Sequence, residues 1–245
     1  MGFFNKLFGK GDKPQGQEGT GSQQHTSTPC KSDQELIERY GAIALEKQLD
    51  LEEVIGDNSW SVDMGKREIS FGPDLNFPIQ VLGTYSHSAQ TWLWAWANTQ
   101  AGLPDDILQH ALQLQEYGEE NGIDLLKIST FDAAMDDLHL IGLIASGMFD
   151  ASGYYIADYG QGAMLATIKT HKVDSLRKEN HHRIAIVFPQ LISQFNMNHK
   201  SALNNYLVMK GYEVTSNGNS LSATKNGNSI SAQFDNEGRL TELNG

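Results

Sequence analysis

Apolar residues recur along this chain at two spacings, one typical of helices and one typical of strands. Ser32 and Glu35 form a capping-box pattern with apolar residues at helical spacing behind them, which predicts a helix from residue 33 to about residue 50. Further helices are predicted from Pro104 to Gly118 or Gly122, over about 133–149, from Pro189 onward, and over 199–210 with Gly211 at the C-cap.

Strand-like stretches separate these helices. The segments "SWSVDM" and "REISF" predict a hairpin around Gly65 and Lys66, and "PIQVLGTYS" and "TWLWAWA" predict the next two strands. A second hairpin is predicted for "GYYIADYG" and "GAMLATIK". Ile184, Ile186 and Phe188 alternate ahead of Pro189, which indicates a short extended piece that enters the following helix.

The C-terminal segment contains a repeat. "NGNSLSATK" and "NGNSISAQF" recur at a nine-residue offset, and "NEGRLTEL" is a looser third copy. Asn-Gly and Glu-Gly pairs mark turns, and apolar residues alternate between them, so the repeat predicts a β-meander that buries one face on the preceding helix.

The N-terminal segment differs from the rest of the chain. Phe3, Phe4, Leu7 and Phe8 share one helix face beside two lysines, as a docking tip for a membrane surface or a partner would. Residues 11–32 contain no large apolar side chain, which predicts a flexible linker.

The order of these elements predicts an α+β fold. We expect an antiparallel sheet flanked by helices, a small C-terminal β-meander and a disordered N-terminal tail. The expected parts are a basic amphipathic tip with its linker over 1–32, an α+β core over 33–198, and a helix with the meander over 199–245.

Three tryptophans stand at every second position of "TWLWAWAN". On a strand, Trp92, Trp94 and Trp96 share one face, while leucine and alanine share the other. Because both faces are apolar, core packing is the favoured interpretation. Two alternatives stay open: a helix that brings Trp92 and Trp96 together, and a pocket lined by one of the indoles.

Several stretches together resemble the signature of one family. "QVLGTYS" followed by "TWLWAWAN", with "LQEYGEENGI", "LIGLIASGMF" and "GYYIADYGQGAMLATI" downstream, is similar to an uncharacterised bacterial family, domain of unknown function 6882. The resemblance covers roughly residues 33–200. It implies an α+β domain in a bacterial cytoplasm and supplies no reaction. By association alone, it also suggests the small acidic immunity proteins that accompany toxins.

Charge is distributed unevenly along the chain. The net charge is −12 at pH 7, although residues 1–32 carry four lysines against two acids. An acidic body repels phosphates, so we expect no nucleic acid as a partner, whereas a basic protein fits. The acids are densest over 105–137, and the alternative interpretation there is two ordinary solvated helix faces. The candidate partner-binding carboxylates are Asp105, Asp106, Glu116, Glu119, Glu120, Asp136 and Asp137.

Sequence signatures of catalysis are missing. The chain has no phosphate-binding loop motif, zinc-protease helix motif, nucleophile elbow or paired Cys-x-x-Cys motif, and Cys30 lies in the predicted linker. Asp136 and His139 offer only two ligands at helical spacing, so an ordinary surface pair is favoured, and neither a metal nor a cofactor is predicted. The sequence assigns no carboxylate to His87 in "SHS".

These observations favour a non-enzymatic cytoplasmic interaction protein. Its most specific form is an immunity protein that masks a basic toxin through the acidic helical face. The alternative is a small-ligand-binding protein or an enzyme with a pocket formed by Trp92, Trp94, Trp96, His87 and His139. A third possibility is weak contact with the inner face of the membrane through residues 3–8. The single cysteine and the lack of a secretory signal favour the cytoplasm, and the oligomeric state stays open.

Overall fold

The computed structural model describes residues 28–175 and 181–245. The predicted apolar tip over residues 3–8, and the predicted linker up to residue 27, lie outside the described residues.

The described part of the chain contains seven α-helices. They are α1 Asp33–Ile55, α2 Gln109–Asn121, α3 Asp124–Lys127, α4 Asp137–Met148, α5 His171–Asp174, α6 Ile184–Gln194 and α7 His199–Met209. The predicted cap of α1 is confirmed, since the Ser32 hydroxyl accepts the backbone N–H of Glu35 at 3.1 Å. Within the same described residues, no helix is long and apolar enough to span a membrane.

Eleven strands form two antiparallel sheets over the described residues. The larger sheet contains β1 Trp60–Asp63, β2 Glu68–Phe71, β3 Leu75–Ser86, β4 Thr91–Trp94, β5 Thr130–Asp132, β6 Gly153–Asp158 and β7 Gly162–Ile168. The smaller sheet contains β8 Glu213–Asn217, β9 Ser220–Lys225, β10 Asn228–Phe234 and β11 Leu240–Asn244. The predicted α+β class, with its antiparallel sheet and C-terminal meander, is confirmed.

The long strand β3 organises the larger sheet. Its first residues pair with β2, and its last residues pair with β4 and with β7, which in turn pairs with β6. The ring of Trp60 in β1 lies 6.1 Å from the ring of Tyr155 in β6. The sheet therefore curls until its β1 end meets its β6 end.

The core forms two apolar clusters on the two faces of the larger sheet. One cluster contains Trp92, Trp94 and Leu165, together with residues of α1, α4, α6 and α7. The other contains Ala166 and Val81, inside the curl of the sheet. Because Leu165 and Ala166 are neighbours on one strand, they point to opposite faces, and the sheet is covered on both.

Helix α1 buries charged side chains as well as apolar ones. Glu46 is 1% exposed, and Lys210 Nζ lies 2.7 and 2.8 Å from its two carboxylate oxygens. The Tyr206 hydroxyl donates to the same carboxylate, and Arg183 pairs with Asp50 one turn further along. These bonds compensate for the desolvation of the charges and attach α1 to α6 and α7.

The meander has one more strand than the three sequence repeats. Strand β8 is the additional strand, and Leu221 of β9 and Ile230 and Phe234 of β10 point inward. They belong to the same apolar cluster as Leu203 and Tyr206 of α7. The smaller sheet thus packs on the preceding helix, as predicted, and its core is continuous with that of the larger sheet.

The predicted strand through all three tryptophans is wrong in its second half. Strand β4 ends at Trp94, and Ala95–Ala97 form a 3-10 turn, so Trp96 does not share the strand face of Trp92 and Trp94. Pairing with β3 stops because Trp94 is opposite Gly83, which adjoins a bulge in β3.

Two predicted helix starts are also wrong. A 3-10 turn over Asp105–Ile107 follows Pro104, and α2 begins only at Gln109. Helix α6 begins at Ile184 and runs through Pro189. The buried residues of α6 are Ile184, Val187, Phe188 and Leu191, whereas Ile186 is 63% exposed. The buried residues therefore follow helical spacing, and the predicted extended piece ahead of Pro189 is wrong.

Cys30 is buried, contrary to its predicted place in a flexible linker. Its side chain is 0% exposed, and its backbone N–H donates to the Tyr117 hydroxyl at 2.7 Å. Lys31 Nζ donates to Asn121 Oδ1 at 3.0 Å at the C-terminal end of α2. Helix α2 thus provides hydrogen-bonding partners for residues that precede Ser32.

Candidate binding groove

An apolar groove of about 390 Å³ opens at one mouth of the curled sheet. Strand β1 provides Trp60 and Val62, and Met64 follows directly after it; on the other side, Ala157 of β6 and Tyr159 just after β6 complete the lining. The groove therefore lies where the two ends of the sheet meet.

The floor of the groove depends on a bulge in β3. Val81 and Thr84 both line it, although residues three apart on a regular strand point to opposite faces. The register of β3 with β7 shifts between Val81 and Gly83, which makes Leu82 an extra residue. Leu82 is buried in the opposite cluster, and the shift returns Thr84 to the side of Val81.

A run of 3-10 turns after β4 forms the third wall. Ala95, Asn98, Ala101 and Leu103 line the groove there. The Asn98 N–H donates to the Ala95 carbonyl, which closes the first turn. The early end of β4 thus turns the chain across the mouth of the sheet and builds this wall.

Few polar groups line the groove. The polar groups among its lining residues are those of Thr84 and Asn98, the Tyr159 hydroxyl and the Trp60 indole N–H, and none of these lining residues is charged. Met64 is 37% exposed and Tyr159 is 56% exposed, so solvent reaches apolar surface on both sides. Such a surface gains free energy when another apolar surface covers it.

Carboxylates adjoin the groove in sequence. Asp63 lies between Val62 and Met64, Asp158 precedes Tyr159, and Asp105 and Asp106 follow Leu103 closely. We call these four carboxylates the rim; all four residues are exposed, and Asp63 points from β1 to the face opposite the groove.

Only part of the rim charge is neutralised. Lys66 Nζ lies 3.6 Å from Asp63 Oδ2, and Arg67 Nη1 lies 2.7 Å from Asp106 Oδ2. Among the residues that the structure describes, Asp105 and Asp158 have no lysine or arginine at salt-bridge distance. The rim therefore keeps a negative balance.

Local hydrogen bonds lower the pKa of two of the rim carboxylates. The pKa of Asp158 lies below its usual value, first because the Gly160 N–H donates to the carboxylate and then because His87 does. The pKa of Asp63 is lowered chiefly by the backbone N–H of Lys66. Both groups carry full negative charge at neutral pH.

The two strand tryptophans lie on the other face of the sheet. Trp92 and Trp94 are each 0% exposed, with their rings edge to face at 5.4 Å. Trp94 Nε1 donates to the Leu125 carbonyl at 3.0 Å, while Trp92 Nε1 has no acceptor within the described residues. Trp96 is half-buried, and in sequence it lies between Ala95 and Asn98, which both line the groove. The groove is lined by none of the three.

The two predicted pocket histidines lie apart from each other and do not line the groove. His87 Nε2 lies 3.2 Å from Asp158 Oδ1, so the structure supplies a carboxylate that the sequence did not assign. His139 Nδ1 lies 2.7 Å from the Tyr154 hydroxyl. The Ser86 hydroxyl lies 3.3 Å from that of Ser88. The structure therefore does not bring the predicted tryptophans and histidines together at one site.

The predicted partner-binding carboxylates are distributed over separate elements. Asp105 and Asp106 belong to the rim, while Glu116, Glu119 and Glu120 lie on α2. Since Glu119 and Glu120 are in the last turn of α2, roughly 15–20 Å of helix separates them from Asp105.

The last two predicted carboxylates lie where α4 begins. Asp136 precedes the helix, and Asp137 Oδ2 accepts the Ala134 N–H at 2.8 Å. Across residues 28–175 and 181–245, no group of three or more His, Cys, Asp or Glu side chains has the geometry of a metal site.

The residues that line the groove were not predicted from the sequence. Trp60, Val62 and Met64 alternate in "SWSVDM", which predicted the strand but not what its apolar face contacts. The exposed Tyr159 in the β6–β7 turn was the other available signal, because a large aromatic residue is unusual at a hairpin tip.

Comparison with known proteins places the chain in one family. No curated protein and no solved structure matches the chain. The sequence model of DUF6882, described as a family of unknown function, matches residues 34–169. This span runs from α1 to the final residues of β7 and includes every residue that lines the groove. Because the match covers more than half of the sequence, the chain belongs to the DUF6882 family.

Proposed function

We propose that this protein is a non-enzymatic interaction protein that binds a partner polypeptide in the apolar groove. The observation that carries the proposal is the combination of an uncharged apolar lining with a rim of carboxylates. Apolar side chains of the partner would fill the groove, and basic residues beside them would face the rim.

The size and shape of the groove support a few apolar side chains as occupants. A volume of about 390 Å³ is at the lower end of ligand pockets, and it is open rather than enclosed. Met64 and Tyr159 flank it with exposed apolar surface that a partner can cover. Long flexible methionine and amphipathic tyrosine are side chains typical of protein-binding surfaces.

The electrostatics support a basic partner. Asp105 and Asp158 add negative charge next to the groove beyond what Lys66 and Arg67 neutralise. The chain as a whole carries a net charge of −12, so its long-range field acts in the same direction. Complementary charge accelerates association and favours basic partners over acidic ones.

The lining supports binding over catalysis. Thr84, Asn98, Tyr159 and the indole N–H of Trp60 contribute the polar groups of the groove. Acid–base or nucleophilic chemistry needs a reactive group positioned with a proton acceptor or donor. The nearby pair of His87 and Asp158 lies outside the lining.

The proposal extends to a bacterial cytoplasmic setting, where an immunity protein that masks a basic toxin is its most specific form. The acidic balance of the chain and a free, buried Cys30 support that setting. Masking through Glu116, Glu119, Glu120, Asp136 and Asp137 stays a prediction, as does membrane contact through residues 3–8.

Selection from a random displayed peptide library tests the proposal. The full chain is the target, and Ala101→Trp is the groove-filling variant, since Ala101 is an exposed alanine in the groove wall. Ala134→Trp is the matched control at an exposed alanine outside the groove. We expect peptides that combine aliphatic or aromatic residues with lysine or arginine.

The selected peptides should bind the wild type and Ala134→Trp equally and bind Ala101→Trp at least tenfold more weakly. Peptides that bind all three proteins equally would show that the groove is not the binding site. Selection of acidic peptides would contradict the assigned role of the rim.

A further inference from the structure

Strand β1 is an edge strand with hydrogen-bonding groups that point away from the sheet. It pairs with β2 so that Trp60 is opposite Phe71, and the Gly72 N–H donates to the Ser59 carbonyl at 2.9 Å. In an antiparallel pair, residues that bond across alternate with residues that do not. The N–H and C=O groups of Trp60 and Val62 therefore face outward, and no described residue bonds to them.

The other end of the curled sheet is protected where β6 begins. The outward N–H of Tyr154 in β6 donates to Gln48 Oε1 of α1 at 2.9 Å. Gly153 packs against Leu51 of the same helix, so closely that a β-carbon there would lie 2.6 Å from Leu51 Cδ2. Helix α1 thus covers the Gly153–Tyr154 end of the edge of β6, whereas no described element pairs with the edge of β1, although proteins usually protect such edges.

The open edge and the groove share two residues. Trp60 and Val62 offer their backbone groups at the edge and their side chains to the groove. A strand added to β1 would place every second side chain on that same face. Backbone groups of this kind recognise a polypeptide in extended form, because a small apolar molecule does not satisfy them.

The carboxylates near β1 indicate which side chains fit the other positions of the added strand. Ser61 and Asp63 point from β1 to the face opposite the groove, so the intervening residues of an added strand would lie beside Asp63. Asp158 and Asp105 are further carboxylates close to the groove residues in sequence. Basic residues therefore fit the positions between the apolar ones.

We propose that β1 accepts an antiparallel strand from a partner polypeptide in which apolar residues alternate with lysine or arginine. The inference rests on the proposed function and specifies the conformation and sequence pattern of the partner. Apolar residues of the strand lie opposite Trp60 and Val62, exchange N–H···O bonds with them and fill the groove.

A seven-residue peptide that alternates lysine and valine, with blocked ends, is the probe for the full chain. Amide hydrogen exchange of Trp60 and Val62 is followed by NMR with and without the peptide. Two further peptides carry two N-methyl groups each, one peptide on two of the valines and the other on the two inner lysines. Only the valine N–H groups face β1 in the proposed pairing, so the two peptides are a matched pair.

We expect exchange at Trp60 and Val62 to slow at least tenfold at saturating peptide, and methylation of the valines to weaken binding at least tenfold. Methylation of the lysines should leave the affinity within about threefold. Absence of binding at millimolar peptide, equal effects of the two methylations, or unprotected Trp60 and Val62 amides would each overturn strand addition. Protection that rises with protein concentration alone would assign the edge to a second copy of the chain and also overturn it.

Failure of this inference and failure of the proposed function give different results. If the peptide binds, loses affinity for Ala101→Trp and leaves both amides unprotected, the groove proposal stands and strand addition is wrong. If both amides are protected and Ala101→Trp binds as well as the wild type, strand addition stands and the groove proposal is wrong.

Discussion

Gly83 and Trp92 lie in direct contact on neighbouring strands. A β-carbon at position 83 would come within 2.4 Å of Trp92 Cζ2 and within 2.5 Å of the Leu93 carbonyl oxygen. Only glycine leaves room for the indole there. The glycine of "QVLGTYS" and the first tryptophan of "TWLWAWAN" are therefore two halves of one packing arrangement.

We predict that Gly83→Ala destabilises the protein by about 1–3 kcal/mol, because the added methyl group overpacks a buried site. Urea unfolding followed by circular dichroism measures the change. In a Trp92→Phe background the cost of Gly83→Ala should be smaller, since phenylalanine lacks the ring atoms that the methyl group meets. The contact with the Leu93 carbonyl remains, so the relief should be partial. Equal costs in the two backgrounds would contradict the assigned contact.

The buried Glu46–Lys210 pair gives a second prediction. Lys210→Met should destabilise the protein by about 3–5 kcal/mol, because it leaves the Glu46 carboxylate buried without its cation. The double variant with Glu46→Gln should lose clearly less, because no uncompensated charge remains. Urea unfolding of both variants measures the two losses in the free energy of unfolding. A double variant no more stable than Lys210→Met would show that the charge itself is not the cause.

Stability should depend on the protonation of His110. Burial lowers the pKa of His110 from 6.5 to about 4, and its ring stacks on Phe149 at 4.0 Å. Between these two pH values the unfolded chain binds a proton that the native protein does not. The stabilising contribution is thus fully present above pH 6.5 and declines as the pH falls toward 4, by at most about 3 kcal/mol.

The variant His110→Phe isolates this contribution. It keeps an aromatic ring on Phe149 and removes the titrating group. Its free energy of unfolding, measured in urea at several pH values between 7 and 4, should fall less than that of the wild type. Parallel profiles for the two proteins would assign the pH dependence to other groups.

The rim charges should act on association with basic peptides. Replacing Asp105 and Asp158 by Asn should slow association of the lysine–valine peptide and reduce its salt dependence. Stopped-flow kinetics at low and moderate salt measures both effects. The matched control replaces Glu119 and Glu120 by Gln at the far end of α2 and should have little effect. A larger effect in the control would indicate that the partner binds the acidic helical face instead of the groove.

Periodicity predicted most elements of the fold correctly. The capping box of α1, both hairpins of the larger sheet and the turns of the meander depend on local side-chain chemistry, which the sequence displays. The wrong predictions concern segments in which tertiary contacts determine the local structure. Cys30 is ordered by Tyr117, and β4 stops at Trp94 because its pairing partner β3 has a bulge there.

The groove was beyond sequence reasoning for a related reason. Val81, Thr84 and Ala101 come together only because β3 bulges and the sheet curls. A bulge leaves no clear mark in the sequence, since Leu82 looks like any other core residue. Trp92 and Trp94 belong to the pair of β3 and β4, and the groove lies on the opposite face of that pair.

The affinity of the lysine–valine peptide for three proteins tests the central claim most directly. Fluorescence anisotropy of a labelled peptide compares the wild-type full chain, Ala101→Trp in the groove and Ala134→Trp outside it. Binding through the groove predicts equal affinities for the wild type and Ala134→Trp, and an affinity at least tenfold lower for Ala101→Trp. Equal affinities for all three proteins would contradict it.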